Sequence, residues 1–549
     1  MKIAPLPANS TTRRNSSIVF YISAFAGLFL LYWFMAGSAV FRNDELQHLH
    51  TSLSAAEGKL PYRDYFDNHV PAFQFLSAIE IHALSIRPSP DFPVKMRRLA
   101  LPWLAAQLLL LVLISRAVIY KETEQYLSTA LLAGALLPFM AAQARPEPLW
   151  CVLFFFSLYL FSSGPPTVKR FILLGLVNGL NACVSLKTLA FPVLPELLSL
   201  PLMIGLYQKE LTVVSVAGFL GGLLFFPGLL ILYFSRSAAL PEFLKFAVLY
   251  SIQGASHAGH TGLTAAGMIF ASGLSFFAAK HLRNPAYRRR AAFFAPVLFS
   301  SAVLALYPVR EAQTLFPFRI LAYLLLSAAA VLGIRRALPG AAARRFALIC
   351  LVSGVVCVRL AAENAFSDNN ASYSKALGVM LKLQPGPGGT VMDAKGESLF
   401  WRRPFFYALE TFAVQGIRAG TISDSIPQDC AREATPVVFL KYADRFTAPD
   451  IRFFTENYLP VCGAPQVHAA GKELSKETFE TLLPLKYRIL CAAGPANGII
   501  DGKKYGGGAI DLSPGPHSFK AASSCGRPLL IWDGAVESGE LPCGYAGDK

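Results

Sequence analysis

Apolar residues are unevenly spread along this chain. Long apolar runs recur from Ser17 to Leu360, whereas beyond Ala361 the sequence turns mixed and polar, rich in Gly and Pro. The first run, SIVFYISAFAGLFLLYWFMAGSAV, is about 24 residues long, too long for the core of a cleaved leader and right for a membrane helix. Further runs of span length fall at 99 to 119, 125 to 143, 148 to 163, 170 to 187, 189 to 206, 212 to 234, 263 to 280, 291 to 307, 315 to 333 and 344 to 361. The pattern predicts a mainly α polytopic membrane protein with about eleven transmembrane helices. A C-terminal α/β plus small β domain follows.

Charge gives the expected orientation. With Arg13 and Arg14 on the cytoplasmic side, alternate short loops hold Arg116 and Lys121, Lys169 and Arg170, Lys209, then Lys280, Arg283, Arg288, Arg289 and Arg290, and finally Arg335, Arg336, Arg344 and Arg345. That is the positive-inside pattern. An odd number of spans then puts residues 362 to 549 outside the cytoplasm, in a multi-pass protein of the cell (inner) membrane. The formal net charge of +16 therefore reads as topology, and no nucleic-acid partner is expected. A composition of 54% hydrophobic and 15% charged residues excludes an ordinary soluble enzyme.

The most polar break between runs is FRNDELQHLHTSLSAAEGKLPYRDYFDNHVP, residues 41 to 71, directly after the first span. On a helix, neighbouring residues point about 100° apart, so Asp44 and Glu45 cannot serve one atom alike, whereas Asp44 and His48 share a face. Gly58, Pro61 and Pro71 predict a structured turn over GKLPYRDYFDNHVP. VPAFQFLSAIEIHALSI has a helical apolar pattern broken by Glu80 and His82, and suits a helix lying at the membrane interface.

The Asp-Glu pair after a first membrane helix, followed by G-x-x-P-Y-x-D and H-x-P, resembles the GT-C membrane glycosyltransferases. It is most similar to the protein O-mannosyltransferases and the lipid A aminoarabinose transferases, the phospholipid-carrier-dependent group. The resemblance covers about residues 17 to 335. ARPEPLW around Arg145 and Glu147, and YPVREAQTLFPF around Arg310, fit the same family; Glu147 stands where many relatives carry Asp. The resemblance implies a GT-C-like fold and a polyprenyl-phosphate sugar donor. It also implies transfer on the extracytoplasmic face to a glycan, lipid or protein acceptor in envelope biogenesis, and a catalytic role for the first acid of the pair.

Such chemistry needs a carboxylate base for a poorly nucleophilic hydroxyl and fixed cations for the departing phosphate. Asp44 is the candidate base, with Glu45 beside it. Lys187, Arg145 and Arg310 are the candidate phosphate-binding cations. His48, Tyr62, Arg63, Asp64, Asp67, His69 and Glu147 are the candidates for substrate contact, although the loop residues among them suit shaping the loop at least as well. No cofactor is implied. A divalent cation at Asp44, Glu45 and His48 is conceivable, but three nearby residues of one helix make a poor hard-cation site. Two other readings fit an apolar chain with a few intramembrane charges: a multi-pass transporter or lipid flippase, which usually shows repeated halves that are not evident here, and a glycan-binding scaffold without activity.

The expected domains are a transmembrane glycosyltransferase domain over 1–361, with an outer catalytic loop at 41–98, an α/β domain over 362–490, and a small β module over 491–549. TVMDAKG, TPVVFLKYADRF and KYRIL predict strands; PDIRFFTENYLPV and SKETFETLLP predict helices. Of nine cysteines, Cys151, Cys183, Cys350 and Cys357 fall in apolar spans as small buried hydrophobes. Cys430, Cys462, Cys491, Cys525 and Cys543 fall in the outer domain, where an odd count permits at most two bridges of undetermined pairing.

Overall fold

The computed structural model describes residues 10–207, 211–250, 284–307, 312–386, 388–491, 494–522 and 525–545. Arg310 and the predicted span at 263 to 280 lie outside these residues. The chain forms two compact units. One comprises residues 1–39, 68–76 and 94–368, and the other residues 40–67, 77–93 and 369–549.

The first unit is helical. Six helices among the described residues are long and apolar enough to cross a membrane: Ile18–Ser38, Phe92–Ile119, Leu189–Leu206, Val213–Arg236, Phe316–Ala337 and Ala341–Ala362. The expected number of about eleven is not confirmed among the described residues, and at several of the predicted runs the reason is local. The run at 125 to 143 is cut by Pro138, so its helix stops at Leu136 and a short 3-10 turn, Phe139–Ala142, follows. Pro146–Ser162 is apolar but shorter than a full crossing. Val168–Val184 and Pro285–Leu306 form helices as the pattern predicts, but each spends its first turns on basic residues.

Small residues let one pair of helices approach closely. A Cβ on Gly175 would lie 2.1 Å from the Phe219 carbonyl oxygen, and one on Gly222 would lie 2.6 Å from the Ile172 carbonyl oxygen. The backbones of Val168–Val184 and Val213–Arg236 touch there because no side chain intervenes, the usual device where helices gain little from the hydrophobic effect. Elsewhere the core is Leu- and Phe-rich, centred on Leu104, Trp150, Phe154, Phe191 and Ile320. Arg97 is fully buried and closes the first helix: its Nη1 donates to the carbonyls of Ala36 (3.2 Å) and Ala39 (2.5 Å), satisfying acceptors left open at a helix C-terminus.

The second unit joins the polar stretch after the first helix to the C-terminal residues. Its helix Asn43–Ala56 buries every residue from Glu45 to Ser54. The C-terminal part contains β1 (Val391–Met392), β2 (Val437–Phe439), β3 (Tyr458–Val461), β4 (Ala464–Glu473), β5 (Thr478–Thr481), β6 (Leu485–Cys491), β7 (Gly494–Pro495), β8 (Gly498–Ile500), β9 (Lys503–Tyr505), β10 (Ile510–Leu512), β11 (Gly515–Ala521) and β12 (Leu529–Trp532). One sheet runs β1-β2-β4-β12-β6-β10, with β3 on β4 and β7 on β6; a smaller one runs β5-β11-β8-β9. β12 pairs antiparallel with both β4 and β6, so the main sheet joins strands from either side of residue 490.

Two predicted helices are corrected. SKETFETLLP holds β5, whose Thr478–Thr481 pairs with Gly515–Ser518 of β11; the alternating, β-branched T-F-E-T suits a pleated strand once a partner is present. PDIRFFTENYLPV is helical only to Asn457 and continues as β3. The three predicted strands are present as β1, β2 and β6. Cysteine pairing is resolved as Cys462–Cys543 and Cys491–Cys525, with Cys430 a buried free thiol.

Candidate functional site

Asn43–Ala56 begins with Asp44 and Glu45 in its first turn, where the helix dipole favours negative charge. The two acids have different fates. Glu45 is fully buried, whereas the Asp44 side chain keeps 33% of its exposure and its Oδ1 accepts from Lys395 Nζ at 2.7 Å. Sequence reasoning missed Lys395: it belongs to the turn DAKGES that follows β1, and only 5% of its side chain is exposed.

That turn is heavily constrained. The Asp393 carboxylate accepts from the backbone N–H groups of Gly396 and Ser398, both at 2.7 Å, and Glu397 Oε2 accepts from Lys395 N–H at 2.7 Å. Gly396 has φ +95° and Leu399 φ +68°. The Leu399 carbonyl is 2.9 Å from Nδ1 of His50, and Tyr373 Oη donates to the Glu397 carbonyl at 2.8 Å.

Charge in this layer is buried. Burial, and next the charge of Asp393, pushes the Glu397 carboxyl up to about 7. Burial pulls the Lys441 ammonium down to about 8; it sits 4.2 Å from the Tyr373 ring centroid, a cation–π contact. Burial lifts the Tyr442 phenol to about 12, with the charges of Glu397 and Asp44 adding to it. The His50 imidazole is held below its ordinary value by burial and then by the charge of Arg403.

The remaining loop candidates mostly shape the loop. Asp64 Oδ2 accepts from Leu60 N–H at 2.7 Å, and Arg63 grips the same carboxylate at 2.8 and 3.1 Å. The bond from Arg63 holds the Asp64 carboxyl below the usual range. Tyr62 is buried at φ +70°, with its N–H on the Tyr65 carbonyl at 2.9 Å. His48 and Asp67 are buried in the same unit. A cavity of about 100 Å³ opens here between His50, Lys59, Phe66, Arg402 and Arg403.

Arg145, Glu147, Lys187 and His69 belong to the first unit. Arg145 and Glu147 form a buried two-point pair, Nε to Oε2 at 2.6 Å and Nη2 to Oε1 at 3.1 Å; Arg145 Nη2 also donates to Gln313 Oε1 at 2.9 Å. Lys187 is half-buried and its charge acts on Glu147. The sequence reading also passed over Glu196, fully buried in the run at 189 to 206. Asn178 donates to its Oε2 at 2.7 Å and the Ser157 hydroxyl donates to its Oε1. An acid inside an apolar run was its available signal.

No family model matches the sequence and no curated protein matches it. Solved structures do. ArnT from Cupriavidus metallidurans in the apo state is similar over 83% of this chain and 98% of its own, at 12% identity and a TM-score of 0.50. The same enzyme bound to undecaprenyl phosphate aligns over 70% of this chain and 83% of its own, at 13% identity and a TM-score of 0.42. An Archaeoglobus fulgidus oligosaccharyltransferase tethered with an acceptor peptide aligns over 82% and 74%, at 12% identity and a TM-score of 0.42. With helices of crossing length and a sheet-bearing C-terminal part, the chain shares the fold of apo ArnT.

Proposed function

We propose that the protein is an integral-membrane glycosyltransferase that moves a sugar from a polyprenyl-phosphate donor to an acceptor hydroxyl on the extracytoplasmic side, with inversion. The observation that carries this reading is Asp44. In a chain with the fold of ArnT, it is a partly exposed carboxylate in the first turn of the helix that follows the first membrane helix. ArnT itself has been solved with undecaprenyl phosphate bound, a lipid of the donor class proposed here.

In the proposed reaction the acceptor oxygen attacks the anomeric carbon as the bond from that carbon to the phosphate oxygen breaks. The hydroxyl proton passes to the Asp44 carboxylate. The phosphate leaves with the electron pair of the broken bond, gaining one negative charge, and needs no proton, only cations, a role assigned to Lys187 with Arg145 and Arg310. His48, Tyr62, Arg63, Asp64, Asp67, His69 and Glu147 complete the proposed substrate surroundings, chiefly by holding the loop.

The test is transfer of radiolabelled sugar from a panel of undecaprenyl-phosphate sugars by the purified full-length protein, with mass analysis of the product. Asp44→Asn is expected to lower turnover at least about 100-fold, as loss of a general base does, while membrane insertion is unchanged. Substantial residual turnover would place the base elsewhere.

A further inference from the structure

We propose that Lys395 is a positioning residue of the transfer centre: the turn after β1 delivers its ammonium to Asp44 and thereby fixes the orientation of the base. The inference rests on the reading of Asp44 given above, and it makes the C-terminal part of the chain a component of the active centre.

A buried ammonium is costly, because its desolvation amounts to several kcal/mol unless it is paired with good geometry. A lysine near a protein surface ordinarily avoids this by extending its head into water. Lys395 does not, for 5% of its side chain is exposed and its Nζ meets Asp44 Oδ1 at 2.7 Å. The turn that carries it is built for this placement. The carboxylates of Asp393 and Glu397 tie the backbone N–H groups of Lys395, Gly396 and Ser398. Leu399 is held at φ +68°, in a region a branched side chain enters at a cost, and its carbonyl is bonded to His50 of the Asp44 helix.

The consequence for the base is geometric: anchoring Oδ1 restricts rotation about Cβ–Cγ and so orients the carboxylate. A base misplaced by about 1 Å loses on the order of 100-fold in rate, so positioning of this kind is visible in kcat.

The experiment compares Asp44→Asn, Lys395→Gln, Lys395→Arg and the double variant Asp44→Asn/Lys395→Gln. It uses full-length protein with whichever undecaprenyl-phosphate sugar the wild type turns over. Lys395→Gln is expected to lower kcat 10- to 100-fold, with the donor KM changed by less than about threefold. Lys395→Arg, which keeps the charge on a differently shaped head, is expected to fall between Gln and wild type. The double variant is expected to be no slower than Asp44→Asn, because a residue acting through Asp44 has nothing left to act on.

A Lys395→Gln protein with wild-type kcat beside a dead Asp44→Asn overturns the inference and leaves the functional reading intact. So does a further loss in the double variant, or a fall in kcat that tracks thermal stability and is not restored by Arg, since each marks a staple between two chain segments. An active Asp44→Asn, or a wild type that turns over no donor, removes the functional reading and the inference with it. Should Lys395→Gln fail to accumulate, Lys395→Arg decides: a lowered kcat at unchanged KM supports the proposal, and an unchanged kcat overturns it.

Discussion

Gly396 and His50 are packed so closely that a Cβ on the glycine would stand 2.7 Å from Cβ and Cγ of the histidine. No heavier residue fits, and the backbone there has φ +95°. Gly396→Ala is therefore expected to carry two penalties, one for the conformation and one for the clash. Together they amount to about 2–4 kcal/mol. Thermal unfolding of the solubilised protein reads this as a lowered Tm; an unchanged Tm would mean that the turn has room to shift away from the helix.

Arg145 and Glu147 bury a charge pair at the start of the helix Pro146–Ser162. Removing one partner strands the other, and Arg145→Leu is expected to cost about 3–5 kcal/mol. The double variant Arg145→Leu/Glu147→Leu removes both charges and is expected to recover most of that loss. A double variant as unstable as the single one would show that the bond from Arg145 to Gln313, and not the ion pair, holds the segment.

The parts of this molecule readable from sequence are those fixed by neighbours in the chain. The first membrane helix, the runs at 212 to 234 and 315 to 333, and the strands β2 and β6 follow from local hydrophobic patterning, and each is present. The acidic first turn of Asn43–Ala56 is likewise visible at once. Lys395 was hidden because its meaning depends on Asp44, 351 residues away; in isolation, DAKGES reads as a polar turn. β5 was misread for a related reason, since T-F-E-T becomes a strand only through its partner Gly515–Ser518. Disulfide pairing is also a long-range fact, and five candidate cysteines leave it open.

The two bridges close loops with sequence separations of 81 and 34 residues. Chain-entropy reasoning gives each about 4 kcal/mol. Reduction is expected to lower the Tm of the C-terminal part while leaving the membrane helices folded, read by limited proteolysis with and without reductant. Thiol labelling without reductant is expected to leave Cys430 unmodified in the folded protein, because it is fully buried, and to modify it in denaturant. Labelling of Cys462 or Cys491 before reduction would contradict the pairing.

Glu397 gives the C-terminal part a pH dependence whose sign follows from its environment. Burial and Asp393 raise its carboxyl from an ordinary 4.5 to about 7, so the folded state holds this proton more tightly than the unfolded chain does. Its contribution is fully present below about pH 4.5 and is lost as the pH rises through about 7. Glu397→Gln keeps the neutral shape and cannot ionise. It is therefore expected to match the wild type near pH 4.5 and to be the more stable protein at pH 8, the two curves separating as the pH rises between the two pKa values. The measurement is Tm against pH for both proteins, and parallel curves would show that Glu397 does not carry the dependence. Because Glu397 Oε2 accepts from the backbone N–H of Lys395, transfer activity measured on the same samples reports whether the geometry of the turn, and not its charge, is what the Lys395–Asp44 contact requires.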